Sequence, residues 1–243
     1  MITLAVLPFF HIYALTTTML MGLHMGLKIV TLPKFEPNMY IKALKTYKPT
    51  LLNLVPPLVS FLTSDQNVKA QYLSSVKIVT GKIKILALKP ILNYRILGGA
   101  APFGPTMINK FLAKAAPNVI KFQEGFGMTE TSPVTHIQPI EDGFLGGCGF
   151  PVPNTMAKIT DLETGEVLPP GQDGELCVSG PQVMLGYHRN KRATKNTIKD
   201  GWLHTGDLAH YKEDGQFVIV DRLKELIKVK GYQVIFNSMV YQN

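Results

Sequence analysis

The sequence predicts an α/β fold, with a helix-covered, mainly parallel sheet followed by a small β-barrel-like subdomain. Helical and strand-like patterns alternate up to about residue 135, which is typical of a parallel sheet. Beyond that point, short β-rich runs are separated by Gly, Pro and Asp turns. We therefore expect an α/β subdomain at 1–136, a β-rich subdomain at 137–221, and a hinge with the start of another domain at 222–243.

The helices and strands of the first part follow from periodicity and punctuation. Residues 39–47 (MYIKALKTY) have apolar residues at helical spacing after an EPN turn signal, so they predict a helix. Residues 50–55 (TLLNLV) are a short apolar run stopped by a Pro-Pro pair, which is typical of a buried strand. Further helices are predicted at 58–63 and 105–115, and a further strand at 118–122.

The second part predicts an antiparallel or barrel-like unit. Its strands are expected at 157–160, 175–179 and 217–220, with turn-rich spacers between the first two. The EDG tripeptide before the last strand is a strong hairpin signal. A basic segment, 221–234, follows.

Composition places the chain among globular proteins. Its 243 residues are 46% hydrophobic and 17% charged, and the formal net charge is +8. Residues 80–95 supply half of that net charge and contain no acid, so the balance elsewhere is unremarkable and nucleic acid is not an expected partner. Cys148 and Cys177 lack metal-ligand spacing and a second pair, which predicts small buried residues in a reducing compartment.

The N-terminal stretch 1–27 has no charged residue, and hydropathy alone favours a membrane helix or a signal peptide. However, no basic residue precedes the apolar run, and Pro8, His11 and His24 interrupt it. We therefore expect no stable membrane insertion, although a membrane-anchored protein stays an alternative.

The strongest motif is EGFGMTETSP at residues 124–133. Glycines allow backbone N–H groups to approach a phosphate, and a Thr hydroxyl can hydrogen-bond a phosphate oxygen. Glu130 is a suitable Mg²⁺ ligand, and the ring of Phe126 offers a flat face to a purine. The structural alternative is a strand-to-turn transition with solvent-facing Thr and Glu.

A second motif, GWLHTGD, occupies residues 201–207 and precedes DRLKELIKVKGYQV at 221–234. Asp207 follows a glycine and can chelate two vicinal ribose hydroxyls, as acidic residues do in nucleotide sites. Arg222 can reach the same ribose or its phosphate. The alternatives are a turn or cap role for Asp207 and a surface salt bridge for Arg222.

These two motifs and three further segments resemble motifs of the adenylate-forming superfamily, and they occur in the same order as in that family. The further segments are LPFFHIYAL (7–15), residues 35–62 and GGAAPFG (98–104). The resemblance is greatest to members similar to 4-coumarate–CoA ligase and luciferase, and it covers nearly the whole chain. It implies ATP-dependent activation of a carboxylic acid as its adenylate and acyl transfer to coenzyme A. The implied cofactors are ATP/AMP, Mg²⁺ and coenzyme A, the partner is an aryl or fatty acid, and the location is the peroxisome or the cytoplasm.

The resemblance also assigns residues. It implies catalytic roles for His11, Thr129, Glu130 and Lys224, with Glu130 on the metal and Lys224 at the hinge. It implies an acyl pocket containing Tyr13, Thr17, Pro133 and Val134. The implied nucleotide and coenzyme A positions are Gly99, Ala100, Ala101, Pro102, Gly125, Phe126, Gly127, Met128, Thr129, Asp207, Arg222, Lys228, Lys230 and Gln233.

Two segments depart from the family pattern. Residues 80–95 interrupt a strand expected to lead into GGAAP, and 235–243 (IFNSMVYQN) resemble nothing in the family. The family's phosphate loop and C-terminal lysine have no counterpart in the chain, so we expect weak or no adenylation. Two alternatives to a ligase stay open: a luciferase-like monooxygenase, and a non-catalytic nucleotide-binding protein.

Overall fold

A computed structural model describes residues 1–76, 95–98, 105–115, 121–139, 146–223, 227–229 and 232–234. The chain divides into two compact units, Met1–Gly146 and Gly147–Asn243. The first is α/β and the second is mainly antiparallel β, so the predicted fold class is confirmed. The boundaries expected at 136/137 and 221/222 stay predictions.

The uncharged N-terminal stretch forms several short elements rather than one long helix. Strand β1 (Ile2–Ala5) pairs in parallel with β2 (Lys28–Thr31). Between them, a π-helical segment (Ala14–Leu20) runs directly into helix α1 (Met21–His24). No helix in the described part of the chain combines the length and the hydropathy that crossing a bilayer requires.

Helix α2 (Pro37–Tyr47) begins two residues before the predicted helix because its start is capped. The Glu36 carboxylate accepts hydrogen bonds from the backbone N–H groups of Asn38 (3.1 Å) and Met39 (2.7 Å). Proline at the first helical position needs no hydrogen-bond partner for its nitrogen. The helix ends at Tyr47, and the C-cap residue Lys48 has a left-handed φ of 45°.

A helix-flanked sheet forms the centre of the first unit. Strands β3 (Asn53–Leu54), β4 (Arg95–Gly98) and β5 (Lys121–Gly127) are parallel, and β6 (Val134–Ile137) pairs with β5 in the opposite direction. Helices α3 (Pro56–Ser64) and α4 (Pro105–Ala115) connect them in sequence, and Ala70–Tyr72 forms a short 3₁₀ turn. The core includes the buried side chains of Tyr40, Leu44, Leu54, Leu62, Ile108 and Phe111.

The predicted strand 50–55 is shorter in the structure because Val55 already caps α3. Of the strand expected at 118–122, Lys121 and Phe122 are in a strand that continues to Gly127 in the glycine-rich motif, and residues 118–120 lie outside the described residues. The atypical segment 80–95 is described only at Arg95, the first residue of β4.

The second unit contains short strand β7 (Phe150–Pro151), then β8 (Met156–Thr160), β9 (Gly174–Ser179), helix α5 (Lys191–Thr197), β10 (Ile198–Lys199), β11 (Trp202–Tyr211) and β12 (Phe217–Arg222). Strands β8, β9 and β11 lie side by side, and β10 and β12 both pair with β11, all antiparallel. The EDG signal is the turn between β11 and β12, as predicted. The apolar core includes Ile159, Leu176, Val178, Leu203 and Phe217.

Candidate functional site

The glycine-rich motif forms a strand followed by a closed turn. Its first four residues belong to β5, and Thr129–Thr131 form one turn of 3₁₀ helix. The Thr131 hydroxyl is fully buried, accepts from Met128 N (3.1 Å) and donates to Pro133 O (2.6 Å). Thr129 is exposed and Glu130 half-buried, so the turn leaves accessible the two side chains expected at phosphate and metal.

Gly127 is required by a close approach of two backbone segments. A Cβ atom there would lie 1.8 Å from Pro133 O and 2.8 Å from Val134 Cα. No side chain fits without moving that backbone, so the glycine sets the distance between β5 and the end of the turn. The sequence predicts that the glycines allow a phosphate to approach the backbone, and the structure adds this packing reason for Gly127.

The residues around Phe126 are more buried than the sequence indicated. Phe126 is half-buried, and its ring centroid lies 6.1 Å from that of His136, its partner on β6. His136 is fully buried, with Nδ1 at 2.9 Å from Thr135 Oγ1. Burial lowers the pKa of His136 to about 3, so its imidazole is neutral at physiological pH.

Glu124, at the start of the motif, is a buried carboxylate. Its Oε2 accepts from Gly146 N (3.0 Å) and from Gln138 Nε2 (3.4 Å), and the Gln138 side-chain oxygen accepts from Glu124 N (3.2 Å). The sequence motifs predict no individual role for His136 or Glu124. Both lie in or directly after the motif, but no local pattern reports burial of a polar side chain.

Asp207 and Arg222 are brought together in the second unit, as their shared role predicts. They are directly opposite each other on β11 and β12, and Arg222 Nε donates to Asp207 Oδ1 at 3.0 Å. Asp207 is almost fully buried, whereas the Arg222 side chain is 60% exposed. The turn or cap alternative for Asp207 is wrong because the residue is within a strand, while the salt-bridge alternative for Arg222 matches the observed pair.

The predicted acyl-pocket residues occupy two places in the first unit. Tyr13 N donates to His11 Nδ1 (3.2 Å), and the Thr17 hydroxyl donates to Tyr13 O (2.6 Å). Tyr13 and Thr17 are buried and His11 is exposed; burial also raises the pKa of Tyr13. Pro133 (buried) and Val134 (half-buried) belong instead to the end of the turn after β5.

The remaining predicted residues are described in part or not at all. Lys228 and Gln233 are register partners on two antiparallel strands, β13 (Ile227–Val229) and β14 (Tyr232–Val234). The positions outside the described residues are Gly99, Ala100, Ala101, Pro102, Lys224, Lys230 and the segment 235–243.

Two solved structures resemble this fold over nearly its whole length. ATP-bound MatB from Rhodopseudomonas palustris is 27% identical with a TM-score of 0.82, covering 98% of this chain and 43% of that one. O-succinylbenzoate coenzyme A synthetase (MenE) from Bacillus subtilis, in complex with ATP and magnesium ion, is 25% identical with a TM-score of 0.75, covering 96% of this chain and 44% of that one.

Sequence comparison also finds acid–CoA ligases among the relatives of this chain. 4-Coumarate–CoA ligase 1 of Arabidopsis thaliana is 40% identical over 242 residues, which cover 96% of this chain and 39% of the relative. The chain thus spans about two fifths of the length of that curated relative. The family model for AMP-binding enzymes matches residues 1–188. The resemblance inferred from the motifs is confirmed, and the chain belongs to the AMP-binding enzyme family.

Proposed function

We propose that this chain carries the nucleotide- and acid-binding part of an ATP-dependent acid–CoA ligase. The reaction would activate an aryl or fatty acid as its acyl-adenylate and transfer the acyl group to coenzyme A. Support comes from the relative named a 4-coumarate–CoA ligase, and from two similar structures solved with bound ATP. As the resemblance implies, the ligase would act in the peroxisome or the cytoplasm.

The observation that carries the proposal is the turn that follows β5. Its closure is made by the buried Thr131 Oγ1 and by the backbone of Met128 and Pro133. Thr129 is exposed and Glu130 is half-buried, and we assign the Thr129 hydroxyl to the α-phosphate and the Glu130 carboxylate to Mg²⁺. A hard cation prefers such a carboxylate oxygen, and magnesium would neutralise charge on the transferred phosphates. The hydrogen bonds of Thr131 that close the turn use neither the Thr129 nor the Glu130 side chain.

Asp207 and Arg222 supply the ribose side of the proposal. The buried carboxylate is held in one orientation by Arg222 Nε and by the strand, so little rotamer freedom would be lost on binding vicinal hydroxyls. The exposed part of the guanidinium leaves other N–H donors for a ribose or phosphate oxygen.

Tyr13, Thr17, Pro133 and Val134 are proposed for the acid, with His11 beside the phosphates. Lys224 is proposed as a hinge. The loop between the adenine and the acyl group is proposed to consist of Gly99, Ala100, Ala101 and Pro102. Lys228, Lys230 and Gln233 are proposed near coenzyme A.

The chemistry proceeds in two displacements. A substrate carboxylate oxygen bonds to the α-phosphorus of ATP as the bond to the β-phosphate oxygen breaks, releasing pyrophosphate. The coenzyme A sulfur then bonds to the acyl carbon, its proton is lost, and AMP leaves. Negative charge accumulates on phosphate oxygens in the first step, so positioned donors and cations do most of the work.

The proposed nucleotide site is tested by measuring, with calorimetry, the binding of a non-hydrolysable acyl-sulfamoyl-adenosine. Asp207→Asn should weaken binding of 4-coumaroyl or fatty-acyl mimics about 10- to 100-fold, because hydrogen bonds to a charged group contribute about 1.5–3 kcal/mol. Asp173→Asn, an exposed carboxylate beside His210, is the matched control and should bind like the wild type. Unchanged affinity in Asp207→Asn, with wild-type thermal unfolding, would contradict the proposal.

Activity assays separate the three functional interpretations. Coenzyme A ester formation supports a ligase, and light emission with luciferin supports the monooxygenase. Tight mimic binding without ATP–pyrophosphate exchange supports a non-catalytic nucleotide-binding protein. The relative named a 4-coumarate–CoA ligase favours the ligase interpretation over the luciferase-like monooxygenase.

A further inference from the structure

Three metal-ligating side chain types meet on one face of the antiparallel sheet in the second unit. Glu175 and Cys177 are two residues apart on β9, so both point to the same face. His204 on β11 is directly opposite Cys177. The sheet register therefore brings a carboxylate and a thiol from β9 next to an imidazole from β11.

The three potential ligand atoms are close together. His204 Nδ1 lies 3.4 Å from Cys177 Sγ and 2.7 Å from Glu175 Oε2, and all three atoms are within 4.8 Å of one another. Ligand atoms around a tetrahedral Zn²⁺ are separated by roughly 3.3–3.6 Å, given the usual metal–ligand bond lengths. The sulfur–nitrogen distance already fits, and the carboxylate oxygen needs to withdraw by roughly 0.6 Å.

Neighbouring groups orient these side chains. Glu175 Oε1 accepts from Gly206 N (3.1 Å), which leaves Oε2 turned toward the histidine. Thr160 Oγ1 lies 3.5 Å from the Cys177 sulfur. Cys177 is fully buried, while the side chains of His204 and Glu175 are 22% and 19% exposed. Supporting hydrogen bonds of this kind orient metal ligands in known sites.

We propose that Glu175, Cys177 and His204 bind a divalent transition metal ion of the Zn²⁺ or Co²⁺ class, with solvent as fourth ligand. A thiolate with an imidazole selects such ions over Mg²⁺ or Ca²⁺, which prefer oxygen ligands alone. This site is different from Glu130, which is proposed for magnesium, and it does not depend on ligase activity.

The charges around the site balance a divalent ion. A thiolate and a carboxylate together supply two negative charges. Burial raises the pKa of Cys177, with the negative charge of Glu175 acting in the same direction, while Lys158 and Lys199 oppose that rise. The same lysines repel a cation, so moderate rather than extreme affinity is expected.

Cobalt titration of the full chain, after removal of bound metal with a chelator, tests the proposal. Co²⁺ should bind in one equivalent and produce a thiolate-to-cobalt charge-transfer band, which Zn²⁺ then abolishes. Cys177→Ala should remove the band, and His204→Ala should weaken binding on the order of 100-fold. Two variants are the matched controls. Cys148→Ala changes the other buried cysteine, and His210→Ala changes the other β11 histidine that pairs with a carboxylate.

Each outcome decides the question. Absence of a thiolate band in the wild-type chain at saturating cobalt overturns the proposal, as does a band that survives in Cys177→Ala or is lost equally in Cys148→Ala. If Cys177→Ala does not fold, Glu175→Gln replaces it, since the amide keeps the size and an acceptor for Gly206. It should weaken cobalt binding by about 10-fold or more and keep the band at high cobalt.

Discussion

At the scale of single residues, the burial of His136 makes the stability of the fold depend on pH. Its folded-state pKa of about 3 is below the ordinary value of 6.5, because burial disfavours the charged imidazole. The unfolded chain therefore binds a proton at a higher pH than the folded chain does. The contribution of His136 to stability is constant above pH 6.5 and is lost as pH falls from there toward 3.

We expect His136→Asn to reduce the loss of stability in acid. In the wild type, this residue should lower the free energy of unfolding by about 1.4 kcal/mol per pH unit below its unfolded pKa. Urea unfolding at several values between pH 7 and pH 5 measures the difference between the two chains. His24→Asn, at an exposed position, should keep the wild-type slope, and equal slopes in all three chains would show that His136 ionises freely when folded.

At the scale of elements, Lys114 joins two helices. It is in the last turn of α4, and its Nζ donates to Thr63 O (3.0 Å) and Asp65 O (2.8 Å) at the end of α3. Terminal helix carbonyls have no partner within their own helix. Burial lowers the pKa of Lys114, an effect opposed by the charge of Asp65. Lys114 thus provides a hydrogen-bond donor to two backbone carbonyls, and it connects the end of α4 to the end of α3.

Lys114→Met should lower the free energy of unfolding by about 1–3 kcal/mol, because it keeps the apolar stem and removes the donor from partly buried carbonyls. Thermal or urea unfolding measures the loss. Lys110→Met on the same helix, at an exposed position, should change stability by no more than about 0.5 kcal/mol. Equal effects of the two substitutions would assign the loss to helix propensity or net charge instead.

At the scale of the whole molecule, the uncharged N-terminal stretch leaves apolar side chains on the surface. Leu20, Leu23 and Met25 are 51%, 65% and 41% exposed. Neighbouring exposed apolar residues favour association between copies.

Leu23→Gln should therefore reduce concentration-dependent self-association and change the free energy of unfolding by no more than about 0.5 kcal/mol. Sedimentation velocity over a range of concentrations measures association. Leu27→Gln, only a few residues away but buried, should instead destabilise the fold by about 2–3 kcal/mol. Unaltered association in a folded Leu23→Gln chain would mean that another surface drives it.

Local signals account for most of the elements that were predicted. The EPN signal before α2 and the Pro-Pro pair after β3 act through backbone geometry and capping, which depend only on near neighbours. The long strand β11 was not predicted as a strand. Gly206, with a φ of 73°, and register shifts on both sides break the alternation that identifies strands.

The amino-acid sequence alone was sufficient to predict the family and the fold class, because both follow from motifs and patterns whose order is read directly from the chain. It was also sufficient to predict the pairing of Asp207 with Arg222, because a short hairpin brings their two strands together. Tertiary structure decided the burial of His136 and the meeting of Glu175 and Cys177 with His204. Cysteine spacing predicted no metal site, since these ligands come from strands whose register is set by packing of the sheet.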